Sequence, residues 1–177
     1  MDETTKVVIG TISAFLIAFF AEPIKTFFQN RSRRNHLQVA LYSEIYNNYN
    51  VLGGFLKIYG EIDIEQSKAY FKGSIKHSIR SECYKYYVSS QSDLFYQLKE
   101  ASQLNIIYAT LFSLLDPELR AANFEDFRNA VATVPILVGQ SLAENKLFAK
   151  VMKKAVGKEA TYQILENHEL YKNSTNR

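Results

Sequence analysis

An arginine and a histidine five positions apart are the residues of this chain best suited to chemistry on a phosphate. Arg31 and His36 stand at the two ends of the segment RSRRNH. Histidine can transfer a proton near neutral pH, and arginine can hold a phosphate through two parallel hydrogen bonds. If the protein cleaves a phosphodiester, Arg31 and His36 are therefore its candidate catalytic residues.

Other catalytic and metal-binding patterns are missing from the sequence. It contains no glycine-rich phosphate loop, no Gly-x-Ser-x-Gly elbow and no His-Glu-x-x-His helix. The 3 histidines and the single cysteine, Cys83, lack the spacing of metal ligands. We therefore predict no metal and no cofactor, and a protein that is not an enzyme unless Arg31 and His36 act as a nuclease pair.

The segment before this pair has the composition of a membrane-crossing helix. Residues 7–21 carry no charge, and a second apolar stretch follows Glu22 and Pro23 and ends at Phe28. At ~1.5 Å per residue the whole of 7–28 can cross a hydrocarbon core of ~30 Å. We predict a retained transmembrane helix; a cleaved signal peptide and a buried core helix are the alternatives.

Basic residues cluster directly behind this segment. The chain has 21 Lys and Arg against 18 Asp and Glu, and no acid lies between Glu22 and Glu44. Because basic flanks stay on the cytoplasmic side, the pattern predicts a single-pass membrane protein with a cytoplasmic C-terminal domain. The residues expected to contact anionic membrane lipids are Lys25, Arg33 and Arg34.

Small residues repeat every four positions within the predicted membrane helix. Gly10, Ala14 and Ala18 share one helical stripe, which lets neighbouring helices approach closely. Glu22 continues the stripe, and an ionisable group at a membrane boundary favours a bundle interior or water. The stripe predicts helix packing or a wet lumen in an oligomer. Alternatively, Glu22 marks the membrane interface and Pro23 ends or kinks the helix.

Apolar residues in the rest of the chain follow helical spacing, with no long alternation of period two. One helix is predicted from about Asn35 through Tyr59, another follows Asp93, and Ser141 to Glu144 predicts the start of a later one. The fold class is therefore all-α, an N-terminal transmembrane helix followed by a helical bundle. The predicted divisions are an anchor at 1–28, a basic hinge at 29–36, a helical domain at 37–172 and a tail at 173–177.

Two rows of basic residues recur every four positions in the predicted domain. A solvated helix face is the ordinary interpretation of such a row. The alternatives are the lining of a lumen in an oligomer and contact with the phosphates of an RNA. The first row is Lys68, Lys72, Lys76 and Arg80, and the second is Lys146, Lys150, Lys154 and Lys158 with Lys153 alongside.

The R-x-x-x-x-H spacing of Arg31 and His36 is the signature of the HEPN superfamily of all-α, often RNA-cleaving domains. Together with one amino-terminal membrane helix and an all-α remainder, it resembles the small accessory membrane protein of type VI-B CRISPR systems. The resemblance implies a HEPN-like fold, a ring-shaped homo-oligomer such as an octamer, and a functional link to the RNA-guided RNase. It also implies a location in the bacterial inner membrane and a membrane pore that disturbs the inner-membrane potential.

The expected function is therefore a homo-oligomeric membrane pore that enhances RNA-guided defence against phage. A membrane-tethered HEPN ribonuclease using Arg31 and His36 is the first alternative. A membrane-anchored adaptor for another protein is the second. Direct binding of RNA is left open.

Overall fold

The computed structural model describes the backbone of residues 3–59, 63–115 and 124–175, and the side chains of 21–58, 63–115 and 125–169. Within these ranges the chain is helical and contains no strand, which confirms the prediction of an all-α fold. The helices are α1 Glu3–Tyr59, α2 Ile64–Tyr70, a π-helix at Phe71–Ile75, α3 Lys76–Ser78, α4 Glu82–Ser90, α5 Ser92–Tyr96, α6 Ala101–Leu115, α7 Phe124–Glu144, α8 Lys146–Val156 and α9 Lys158–Thr175.

The chain divides into two compact units, Met1–His36 and Leu37–Arg177. Helix α1 contributes its first part to unit 1 and its second part to unit 2, and the predicted hinge at 29–36 is helical. Helix α9 ends at Thr175, inside the range predicted as a tail. Among the described side chains, every buried apolar residue belongs to unit 2.

Unit 2 is a helical bundle in which α7 packs against α6, α8 and α9. The second part of α1 presents the apolar side that its sequence spacing predicts, and these residues are buried: Leu37, Leu41, Ile45, Leu52 and Phe55. Periodic apolar residues bury α6 in the same way, since three- and four-residue spacing places them on one side of a helix.

Aromatic rings join the helices of this core. Phe55 on α1, Phe71 on the π-helix and Phe127 on α7 meet edge to face, with ring centroids 5.4 to 6.0 Å apart. Tyr84 on α4 stacks on Tyr108 of α6 at 4.0 Å. Such ring pairs contribute about 0.5–1.5 kcal/mol each beyond the area that they bury.

The predicted localisation is corrected by the structure. Within the described residues, no helix is long and apolar enough to cross a membrane, which contradicts a single-pass inner-membrane protein. Between Ala21 and Arg34, α1 carries Glu22, Lys25 and three arginines. This part of the helix therefore contains no stretch of ~20 apolar residues. Gly10, Ala14, Ala18 and the apolar run at 7–20 lie outside the described side chains.

Candidate functional site

Arg31 and His36 both lie on α1 in unit 1, and both side chains are exposed. Five residues along an α-helix turn the side chain by about 140°, because each residue adds ~100°. The two side chains of one copy therefore point in different directions. Among the described residues, neither forms a hydrogen bond or an ion pair that would turn it toward the other. One copy does not bring them together on a single phosphate.

The neighbouring residues of unit 1 form an exposed apolar face. Ile24, Phe27 and Phe28 are 54%, 62% and 61% exposed, and the two phenylalanine rings lie 5.8 Å apart. Glu22 forms an exposed ion pair with Lys25 at 3.6 Å. The predicted lipid contacts Arg33 and Arg34 are exposed as well. This part of α1 therefore presents three large apolar side chains to solvent beside a basic segment.

The first basic row does not form a continuous helical stripe. It starts on α2, passes through the π-helix and ends beyond α3, where Ile79 adopts an extended backbone with ψ of 130°. Lys68 pairs with Glu65 at 3.7 Å, and Arg80 lies outside any helix. The extended backbone at Ile79 ends the helical spacing before Arg80 is reached. Arg80 thus does not lie on one helical face with Lys68, Lys72 and Lys76.

The second basic row stays together. Lys146, Lys150 and Lys154 occupy the exposed side of α8, and Lys153 lies beside them. Helix α8 contains no acidic residue. Its opposite side is buried through Phe148, Val151 and Met152, so the lysines cannot turn inward. Lys158 begins α9 after Gly157, where the chain turns.

A buried carboxylate that the sequence analysis did not single out connects α1, α4 and α6. Glu44 is 5% exposed. Its Oε2 accepts a hydrogen bond from the Cys83 backbone N–H at 2.9 Å, and its Oε1 accepts one from the Tyr84 N–H at 3.2 Å. The Tyr108 hydroxyl donates to the same Oε1 at 2.7 Å. Glu44 thereby satisfies two free N–H groups in the first turn of α4, where a negative charge is also favoured.

Asn48, one helical turn after Glu44, holds the segment before α4. Its Oδ1 accepts from the Arg80 backbone N–H at 2.8 Å, and its Nδ2 donates to the Arg80 carbonyl at 2.7 Å. The signal in the sequence was two polar residues, four apart, within the apolar side of α1. A polar residue in such a position is buried only if it finds hydrogen-bond partners, and those partners come from a distant part of the chain.

A second buried carboxylate lies between α1 and α6. Glu100 is 2% exposed, and its Oε1 accepts a hydrogen bond from Gln38 Nε2 at 2.6 Å. Its Oε2 and the hydroxyl of Tyr42 are buried without a well-formed hydrogen bond. Burial raises the pKa of Tyr42, and the nearby Glu100 raises it further. Tyr42 therefore stays a neutral phenol inside the core.

These buried groups are not arranged for nucleophilic or metal chemistry. Burial, and then the neighbouring Glu44, raise the pKa of the Cys83 thiol, which disfavours the reactive thiolate. The described residues include no group of three His, Cys, Asp or Glu side chains that could hold a metal ion. Both oxygens of Glu44 already accept hydrogen bonds. The polar groups of the core hold helices together.

The fold and these sites define an all-α protein with two units and a basic helix face on the second. Comparison with family models, with curated proteins and with solved structures finds no match.

Proposed function

We propose that this chain is a non-enzymatic helical accessory protein that associates with further copies of itself and enhances RNA-guided antiviral defence. The exposed apolar face of Ile24, Phe27 and Phe28 is the observation that supports self-association. Spacings of three and four place the three side chains within about 100° around α1. Water is an unfavourable environment for such a contiguous face, and exposed apolar patches of this kind mark contact sites.

A second copy is a suitable partner for this face. A two-fold symmetric contact between two copies is self-complementary, so it would cover Ile24, Phe27 and Phe28 of both copies at once. The nearby Glu22 and Lys25 already pair within one copy, so these two residues add no net charge beside the face. The link to RNA-guided defence comes from the resemblance in sequence layout.

The geometry of Arg31 and His36 supports the non-enzymatic part of the proposal. The two side chains point about 140° apart around one helix. In a ribonuclease, the general acid or base must reach the same phosphate that the binding group holds. The depolarising pore that the resemblance implies stays a prediction.

The apolar face can be tested with the double variant F27S/F28S. We expect the wild-type chain to assemble and the variant to lose most of its assembled fraction, measured by sedimentation velocity. In cells that carry the RNA-guided RNase, we expect the variant to lose at least tenfold of the protection against phage plaques. The matched control is Y86S/Y96S, which changes two exposed tyrosines of unit 2. A monomeric wild type, or an F27S/F28S variant that assembles and protects normally, contradicts the proposal.

A separate experiment addresses catalysis. The variant R31A/H36A is expected to protect against phage as well as the wild type does, because neither side chain has a catalytic role in the proposed function. If the purified wild type cleaves RNA and R31A/H36A does not, the protein is a ribonuclease that uses Arg31 and His36. A potential-sensitive dye, read during the same phage challenge, measures the predicted depolarisation.

A further inference from the structure

The basic side of α8 and the start of α9 form a surface that self-association does not explain. Four lysines lie on α8, and Lys158 follows it with only Gly157 in between. Lysines that are four positions apart on α8 are separated by about 6 Å along the helix axis. No acidic side chain forms an ion pair with them in the described part of the chain. The surface thus offers an open row of cations to a polyanion.

Tyr162 places an aromatic ring at one end of this row. Its side chain is 50% exposed on α9. The ammonium groups of Lys153 and Lys158 lie 5.7 and 5.6 Å from the ring centroid. An exposed ring flanked by cations is the arrangement with which proteins stack a nucleobase and hold the phosphates next to it.

A pocket beside the ring supplies hydrogen-bonding groups. It has a volume of about 410 Å³ and is lined by Lys158, Glu159, Tyr162, Gln163 and Glu166. Spacings of three and four put the four α9 residues from Glu159 to Glu166 on one side of that helix. Carboxylate and amide groups can pair with the donors and acceptors at the edge of a base.

We infer that this surface binds single-stranded nucleic acid, with the phosphates on the lysines of α8 and one base stacked on Tyr162. Gln163 and Glu166 contact the edge of that base. The two glutamates favour this ligand over an anionic membrane surface, because they would repel a uniformly negative plane, whereas a base carries no charge. The lysines and the ring come from neighbouring helices of unit 2, so one copy suffices for binding.

The test is fluorescence anisotropy of the full-length protein with labelled oligo(U) RNA and labelled oligo(dT) DNA at several salt concentrations. We expect saturable binding of RNA, DNA or both. The variant K150E/K154E should lower the affinity at least tenfold at low salt. Removing two phosphate contacts should also reduce the slope of log K against log salt by about 1.4, since each contact to a single strand contributes ~0.7.

Tyr162 is tested independently of charge. Y162A should lower the affinity about tenfold through lost stacking and leave the salt slope unchanged, while Y162F should bind like the wild type. The control K57E/K99E carries the same change in charge at two exposed lysines elsewhere in unit 2 and should bind within twofold of the wild type. Circular dichroism verifies that each variant is folded.

Three results would overturn the inference. The first is no binding of either oligonucleotide by the wild type. The second is an equal loss of affinity in K57E/K99E and K150E/K154E, which would indicate general charge attraction. The third combines two observations and would indicate a membrane surface. The protein would bind vesicles containing anionic lipid in a way that depends on Lys150 and Lys154 but not on Tyr162, and Y162A would leave the affinity for the oligonucleotides unchanged.

Discussion

Glu44 shows how one buried side chain connects three helices of unit 2. It accepts two backbone N–H groups from α4 and one hydroxyl from α6 while lying on α1. Hydrogen bonds to a charged acceptor contribute more than neutral ones, about 1.5–3 kcal/mol each. This carboxylate therefore holds α4 in the bundle, together with the ring stack of Tyr84 on Tyr108.

We predict that E44A lowers the free energy of unfolding by about 3 kcal/mol or more, because it leaves two half-buried N–H groups and the buried Tyr108 hydroxyl without this acceptor. E44Q should lose less, since its amide keeps one acceptor oxygen. Urea denaturation followed by circular dichroism measures both. The control E65Q removes an exposed carboxylate that pairs with the half-buried Lys68 and should cost less than about 1 kcal/mol. Equal stability of E44A and E65Q would mean that Glu44 does not hold α4.

At the residue scale, apolar spacing in the sequence predicted which positions of α1 are buried. It did not predict which groups the buried polar residues bind. Asn48 lies among the apolar positions of the helix, and it is 2% exposed. Helical spacing is enough to assign a side of α1. The role of Glu44 and Asn48 depends on residues 80–84, more than 30 positions further along the chain, and no local pattern encodes that pairing.

The junctions at the two ends of α8 show how loops orient the basic face. The Asn145 side chain accepts hydrogen bonds from the N–H groups of Leu147 and Phe148 at 3.0 and 3.1 Å. Gly157 ends α8 with φ of 95°, a backbone conformation that side chains disfavour. The predicted helix start at Ser141 to Glu144 was wrong, because α7 continues through Glu144 and the cap lies one residue later.

We predict that N145A and G157A each destabilise the protein by about 1 kcal/mol. N145A removes the N-cap of α8, and G157A places a Cβ where the backbone requires a positive φ. If α8 presents the nucleic-acid surface, G157A should also weaken oligonucleotide binding, because it disturbs the turn between Lys153 and Lys158. G54A is the control: its Cβ would meet no atom within 4 Å and its φ is not positive. Destabilisation by G54A as large as by G157A would contradict this account.

At the scale of elements, spacing in the sequence was a good guide only where the helix stays regular. The lysines of α8 share a face because 11 residues from Lys146 to Val156 form one uninterrupted helix. The first basic row had the same spacing, but it passes through a π-helix, and the extended backbone at Ile79 then separates Arg80 from the three lysines. Packing of Phe71 against Phe55 and Phe127 lies at that π-helix, and such tertiary contacts cannot be inferred from spacing.

Across the whole molecule, buried tyrosines connect stability to alkaline pH. Burial raises the pKa of Tyr108 well above its usual value, and the adjacent Glu44 raises it further. Burial also raises the pKa of Tyr42, Tyr84 and Tyr87. In the unfolded chain these groups ionise near pH 10. Above that pH the unfolded state loses protons that the folded state retains.

We therefore predict that the free energy of unfolding is unaffected by these tyrosines up to about pH 9 and falls as the pH rises through 10. Urea midpoints measured at intervals from about pH 9 to about pH 11 test this, together with phenolate absorbance, which should increase sharply on unfolding. The variant Y42F/Y108F should show a smaller fall than the control Y96F/Y162F, which changes two exposed tyrosines. An unchanged midpoint over this pH range would contradict the prediction.

The sequence by itself determined that the chain is helical and which side of each regular helix is apolar or basic, because side chains three and four residues apart always share a face of an α-helix. It also identified Arg31 and His36, but only the helix geometry shows that they diverge. The tertiary structure decided that Glu44, Asn48 and Glu100 are buried, that the first basic row is broken, and that Tyr162 lies beside Lys153. It also overturned the predicted membrane localisation. These features depend on contacts between distant segments, and burial of a polar group is stable only when such contacts supply its hydrogen bonds.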